Sequence, residues 1–298
     1  MIGYGLLFFR RKPMKSNMIK KILKYVLIIF VAALFFFPIY WMATMAFKPF
    51  PEWTAAGEKL YWFPEQPTLD NFREIFVRRT DFKTDISSTA TGPIINSLII
   101  SSLGTLMAMV LGIMAGYGIS RYKAGGQLPF FLLQLRMFPP AAVLIPVMIM
   151  WAFLRMVDTW YGLTIIYGVV TLPFSTWLMK TFFDDIPCEL DEAAIVDGCS
   201  SFTAFIKVVL PLTKGGIAST ALFVFILNWS DFLIAFILTD RKWGTIPVYI
   251  NKLQSATVGQ LYGPKAALGL LAAIPPIVFG ILIQKYLVRG LTFGAIKK

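Results

Sequence analysis

Five uncharged, largely apolar runs divide this chain, at residues 25–47, 86–120, 137–154, 159–179 and 266–284. A further apolar stretch, 215–238, is interrupted by a single acid, Asp231. A helix needs about 20 apolar residues to cross a hydrocarbon layer of ~30 Å. The pattern therefore predicts an all-α integral membrane protein with six transmembrane helices. They are expected near 23–47, 93–119, 128–153, 160–180, 215–238 and 266–288. Pro139, Pro140 and Pro146 fall inside the third. Prolines are tolerated there because neighbouring helices and waters satisfy the freed carbonyls.

The polar segments complete the organisation. Residues 1–22 form a basic tail and 48–92 a long external loop broken by Pro49, Pro51, Pro64 and Pro67, with short helices expected around 70–77. Residues 93–288 make a core of five helices that includes a polar loop at 184–212, and 289–298 form a short basic tail. Residues 239–265 are a second external loop. Arg10, Arg11, Lys12, Lys15, Lys20, Lys21 and Lys24 crowd the front of the first crossing. Positive charge there places that end in the cytosol, and an even number of crossings returns the C-terminus to the same side. The first run exceeds the apolar core of a signal peptide, about 7–15 residues, so it is expected to be retained.

Composition narrows the chemistry. Of 298 residues 57% are hydrophobic and 15% charged, against about 25% charged in soluble domains. The net charge of +12 does not indicate nucleic acid, because the basic residues flank apolar runs and suit anionic lipid headgroups. Histidine is absent, which excludes His-based catalytic triads and argues against a zinc site. The two cysteines, Cys188 and Cys199, are too few for a disulfide framework and read as reduced thiols.

The loop at 184–212 is the most informative segment. Asp184 or Asp185 can cap a helix, Pro187 suits a first turn, and Glu189, Asp191 and Glu192 place negative charge at the positive helix end. Ala193 and Ala194 offer a small surface for a neighbouring helix. Gly198 stands where the chain must turn, and glycine accepts positive φ. Phe202, Phe205 and Val209 then recur on one helical face, and Leu210-Pro211 ends that helix. Either a protein partner or the bilayer surface takes the apolar face.

The spacing of Glu192-Ala193-Ala194, Asp197-Gly198 and Leu210-Pro211 resembles the EAA loop of ABC importer permeases, with Val208 where the family usually has Ile. The tail 284–298 is similar to the end of the smaller, MalG-like permease of carbohydrate importers. Asp158-Thr159, Gly162-Leu163 and Asn228-Trp229 match that subfamily too. The resemblance implies a type I importer fold in the bacterial cytoplasmic membrane. It implies a homologous second permease, two cytosolic ATPases and an extracytoplasmic solute-binding protein as partners. Glu192, Ala193, Ala194, Asp197, Gly198, Phe205, Leu210 and Pro211 would couple this chain to the ATPases. ATP and Mg would bind those subunits, and this chain would bind no cofactor; it lacks a Gly-x4-Gly-Lys-Ser/Thr phosphate loop.

Arg136 and Asp231 place charges inside apolar segments. A central charge costs at least about 2.5–3.5 kcal/mol on insertion scales and usually faces a cavity or a partner. Arg136 and Asp231, with Asn228 from the subfamily match, are candidates for the substrate pathway; each charge could instead pair within the bundle or snorkel to an interface. An arginine before Pro139-Pro140 suits an acidic oligosaccharide, as in the alginate importer branch of the family. The 241–265 loop either meets the binding protein or is an ordinary loop with interfacial aromatics. Two other functions compete. A secondary transporter or channel leaves the acidic, glycine-broken loop unexplained, and a membrane enzyme lacks a Gly-x-Ser-x-Gly elbow or paired intramembrane carboxylates.

Overall fold

A computed structural model describes residues 14–54, 59–77, 89–122, 127, 130–131, 134, 140–255 and 259–294. Helices dominate: α1 (Met14–Phe47), α2 (Phe50–Thr54), α3 (Asp70–Glu74), α4 (Thr91–Tyr122), α5 (Pro140–Phe153), α6 (Trp160–Asp184), α7 (Glu189–Val196) and α8 (Ser201–Ala204). A π-helical turn, Phe205–Val209, and a last turn, Leu210–Leu212, extend α8. Then follow α9 (Lys214–Trp229), α10 (Leu233–Leu238), α11 (Ile246–Lys252), an antiparallel pair β1 (Gln254–Ser255) and β2 (Gly259–Gln260), and α12 (Tyr262–Gly294).

Among the described residues four helices are long and apolar enough to cross a membrane: Lys20–Phe47, Thr91–Tyr122, Trp160–Asp184 and Tyr262–Gln284. A fifth span forms if Ser201–Leu212 and Lys214–Trp229, bent by 77°, count as one. Ala142–Phe153 is apolar but shorter. The end of the bundle carrying residues 185–213 is termed inner, and the opposite end outer.

The centre is the parallel pair α4 and α6. A Cβ on Gly112 would stand 2.2 Å from Ser175 Oγ, and one on Gly116 would stand 2.8 Å from the Lys180 amide nitrogen. The Gly112-x-x-x-Gly116 pattern thus does what close membrane packing requires, bringing two backbones together. Antiparallel α9 lies on this pair, where buried Asn228 donates to Thr105 Oγ1 at 3.2 Å. α12 packs on α9 through Phe225 against Phe279 and through Trp229 Nε1, which donates to the Ala272 carbonyl at 2.9 Å. α1 closes on α12 at its outer end, where Ala46 meets Ala266 and Ala267. From Met18 to Ile39 its described side chains are exposed, as lipid-facing positions should be.

The expected fifth helix, 215–238, is in fact broken. α9 stops at Trp229, and Asp231 Oδ2 accepts the amides of Ile234 (3.1 Å) and Ala235 (3.3 Å), starting α10 afresh. The expected capping by Asp184 or Asp185 also differs: α6 runs on to Asp184, whose carboxylate takes Lys180 and the Ser120 hydroxyl instead. Leu210-Pro211 does not end the second loop helix, which reaches Leu212 and breaks at Thr213. Pro211 has no amide to donate, and the i→i+5 turn just before it absorbs that gap.

The outer end is knitted by polar side chains. Asn71 Nδ2 donates to the Ala46 (2.9 Å) and Lys48 (2.7 Å) carbonyls, closing the C-terminus of α1. Lys48 is buried with its Nζ over the Trp41 ring, and burial lowers its pKa. Asp158 accepts three successive amides of the outer loop, from Arg241 (3.2 Å), Lys242 (3.0 Å) and Trp243 (2.9 Å). Asn96 donates to the Lys242 and Gly244 carbonyls of the same loop.

Candidate functional site

At the inner end the chain leaves α6, turns at 185–188 and forms α7 with Glu189, Asp191 and Glu192 in its first turn. No side chain caps this helix, so these acids are what meets its positive end. Gly198 has φ of 89°, a conformation that costs glycine little and β-branched residues a great deal. The turn there swings the chain into α8, where Ser200 Oγ accepts the Thr203 amide as an N-cap at 3.2 Å.

The two short helices have two faces. Inward, Ala194, Ala204, Phe205 and Val209 are buried, and Phe205 lies against Tyr117 with ring centroids 4.4 Å apart. Outward, Val196 is 86% and Phe202 69% exposed, with Ile195 also uncovered. Glu192, Ala193, Asp197, Gly198 and Pro211 are exposed on the same segment, and Leu210 is half-buried. The predicted coupling residues therefore divide. Ala194 and Phe205 anchor the loop to its own bundle, while Glu192, Ala193 and Asp197 face outward with the apolar residues. Of the expected apolar face, Phe205 and Val209 are buried while Phe202 lies at its exposed edge, its ring centroid 6.4 Å from that of Phe205.

Two residues at this site, Arg121 and Tyr117, carried no sequence signal of their own. Arg121, the penultimate residue of α4, places its Nε 2.7 Å from Asp191 Oδ2, with both side chains almost wholly buried. Tyr117, one turn earlier, donates its hydroxyl to Asp191 Oδ1 at 2.7 Å. Arg121 Nη1 also reaches the Phe183 carbonyl at 3.1 Å. In the sequence Arg121 reads as a basic flank and Asp191 as one acid among several. Only the fold shows that they meet, 70 positions apart along the chain.

The pathway candidates are placed less centrally. Asn228 faces α4 through Thr105, and Asp231 faces α6, accepting the Tyr167 hydroxyl at 3.1 Å. A hollow of about 540 Å³ opens on the other side of this segment, lined by Trp229, Ser230, Phe232, Asn251, Lys265 and Gly269 among others. Arg136 and Pro139 lie outside the described residues. Among the described residues no group of three His, Cys, Asp or Glu side chains is gathered for a metal.

Comparison with known proteins agrees with this architecture. The family model for the binding-protein-dependent transport system inner membrane component matches residues 108–293, which bears out the resemblance carried by the loop. The trehalose/maltose transport system permease protein MalG of Thermococcus litoralis is 33% identical over 287 residues, covering 95% of this chain and 99% of its own length. The trehalose transport system permease protein SugB of Mycobacterium tuberculosis is 36% identical over 264 residues, covering 87% and 92%. In a crystal structure of a bacterial ABC transporter involved in the import of the acidic polysaccharide alginate, one chain superposes with a TM-score of 0.72 at 21% identity, over 95% of this chain and 100% of that one. That is a likeness of fold. With most of its length matched by the family model and nearly all of it shared with curated permeases, the chain belongs to the inner-membrane components of binding-protein-dependent ABC transport systems.

Proposed function

We propose that this chain forms half of the translocation pathway of an ATP-driven importer of sugars or oligosaccharides. A homologous permease supplies the other half, two cytosolic ATPases bind ATP and Mg, and an extracytoplasmic binding protein delivers the solute. α5 belongs to the sixth crossing, and both termini lie in the cytosol. The observation that carries the coupling is the two-faced inner loop, seated on its own bundle by Ala194 and Phe205 while presenting Val196, Phe202 and Glu192 to solvent. A surface that mixes exposed apolar side chains with acids fits a protein groove with basic residues better than anionic lipid.

The carbohydrate class follows from relatives such as MalG and SugB, named for trehalose and maltose. The finer reading is an acidic oligosaccharide such as a uronate chain. Its support is Arg136, a permanent cation that offers a two-pronged partner to a carboxylate. Asn228 and Asp231 contribute by fixing the walls beside the pathway.

The test uses the complete importer, purified through a tag on this chain and reconstituted with its binding protein. Glu192→Lys and Gly198→Val are expected to insert normally and to abolish uptake. Normal uptake by both would overturn the role of the loop. Acidic and neutral oligosaccharides of equal length, compared in the same vesicles, read the substrate class. Preference for the neutral one would remove the acidic reading.

A further inference from the structure

The Arg121–Asp191 pair is an expensive feature at the rim of a membrane protein. Nearly complete burial deprives both charges of water, and such pairs commonly give no net stability over apolar replacements of the same size. What a buried ion pair backed by a hydrogen bond to the same carboxylate can supply is a single geometry. Asp191 has one oxygen on Arg121 Nε and the other on the Tyr117 hydroxyl. Arg121 is in turn held by the Phe183 carbonyl at the end of α6. The Tyr117 ring then contacts Phe205 in the π turn and Phe183 in α6. One turn of α4 thus grips both halves of the inner loop and the helix that leads into it.

This placement changes how the loop is connected to the bundle. By chain connectivity alone, α7 and α8 would hang between α6 and α9. The clamp seats them on α4 instead, and α4 is locked to α6 through Gly112 and Gly116. The other connection, to α9, is the 77° break at Thr213. From this contrast we infer that Arg121, Tyr117 and Asp191 are positioning residues for coupling. They make α4, α6 and α7 one rigid lever, on which α9 rests through Gly216 against Phe182 and Asn228 against Thr105. A displacement imposed on the exposed face of α7 is then delivered to the α4–α6 pair, and through Asn228 and Thr105 to the wall of the pathway. The proposal rests on the importer reading given above and adds to it the route by which the loop moves the bundle.

The experiment compares the ratio of binding-protein-stimulated to unstimulated ATP hydrolysis in the complete importer. Arg121→Gln and Asp191→Asn are expected to lower that ratio by about five- to a hundred-fold, the range in which coupling between sites usually falls. Labelling of exposed Cys188, whose Sγ lies 3.6 Å from Arg121 Nη1, should accelerate in Arg121→Gln on a Cys199→Ser background. Each single change leaves one buried charge unpaired, so the Arg121→Gln, Asp191→Asn double variant keeps the test sound. It should assemble with the ATPases and still show the lowered ratio. A double variant with the parental ratio overturns the proposal, as does one that cannot assemble, since the pair would then serve folding alone. Glu192→Lys run in parallel separates the two levels. If it also leaves the ratio intact, the importer-coupling reading has failed; if it alone destroys the ratio, only the lever has.

Discussion

Gly198 and Asp158 both owe their importance to backbone geometry, yet only one of them was legible beforehand. A glycine between two short helical patterns announces a turn, and φ of 89° is what it provides. Asp158 announced nothing beyond its match to relatives, because its three amide partners lie more than 80 positions away in the outer loop. It too has positive φ, 53°, which Asn tolerates well. Asp158→Asn therefore isolates the carboxylate without straining the backbone. Losing a charged acceptor shared by three donors should cost about 2 kcal/mol locally, a roughly thirty-fold rise in loop opening. Trypsin cleavage after Arg241 or Lys242 in reconstituted protein should accelerate to match. An unchanged cleavage rate would show that Asn96 holds the loop unaided.

Apolar runs locate helices well because a membrane permits few alternatives to them, and they placed α4, α6 and α12 to within a turn or two, while α1 begins at Met14, well before the expected residue 23. The ends were harder. Interior breaks are set by partners distant in the chain, as where Asp231 caps α10 while accepting Tyr167 from α6. The two faces of the inner loop were only half visible, since the pattern put Phe202 with Phe205 and Val209 and could not show that Phe202 alone stays uncovered. The close contact of Gly112 and Gly116 with α6 can be checked directly. Gly112→Leu would drive a side chain into Ser175, and overpacking of this kind costs about 1–3 kcal/mol or more. It should lower the melting temperature in detergent by several degrees. Gly118→Ala, on the same helix with open space at its Cβ position, should leave it unchanged. Equal effects from both would mean that α4 and α6 do not rely on this contact.

Across the whole molecule, α1 and α12 run antiparallel, so the first and last long helices share the inner end. The basic residues before Lys24 predict that this end is cytosolic. In a background free of Cys188 and Cys199, a cysteine at position 297 should resist an impermeant reagent in intact cells, whereas one replacing exposed Gln254 should react. External labelling at 297 would reverse the orientation. The bare flank of α1 carries a consequence for how the protein is made. Its long partner is α12, far along the chain, so α1 must enter the bilayer before the helix that packs on its outer end has been made. A segment in that position cannot lean on the finished fold for its insertion. Its greasy surface from Tyr25 to Ile39, free of charge, is what a segment that inserts by itself requires.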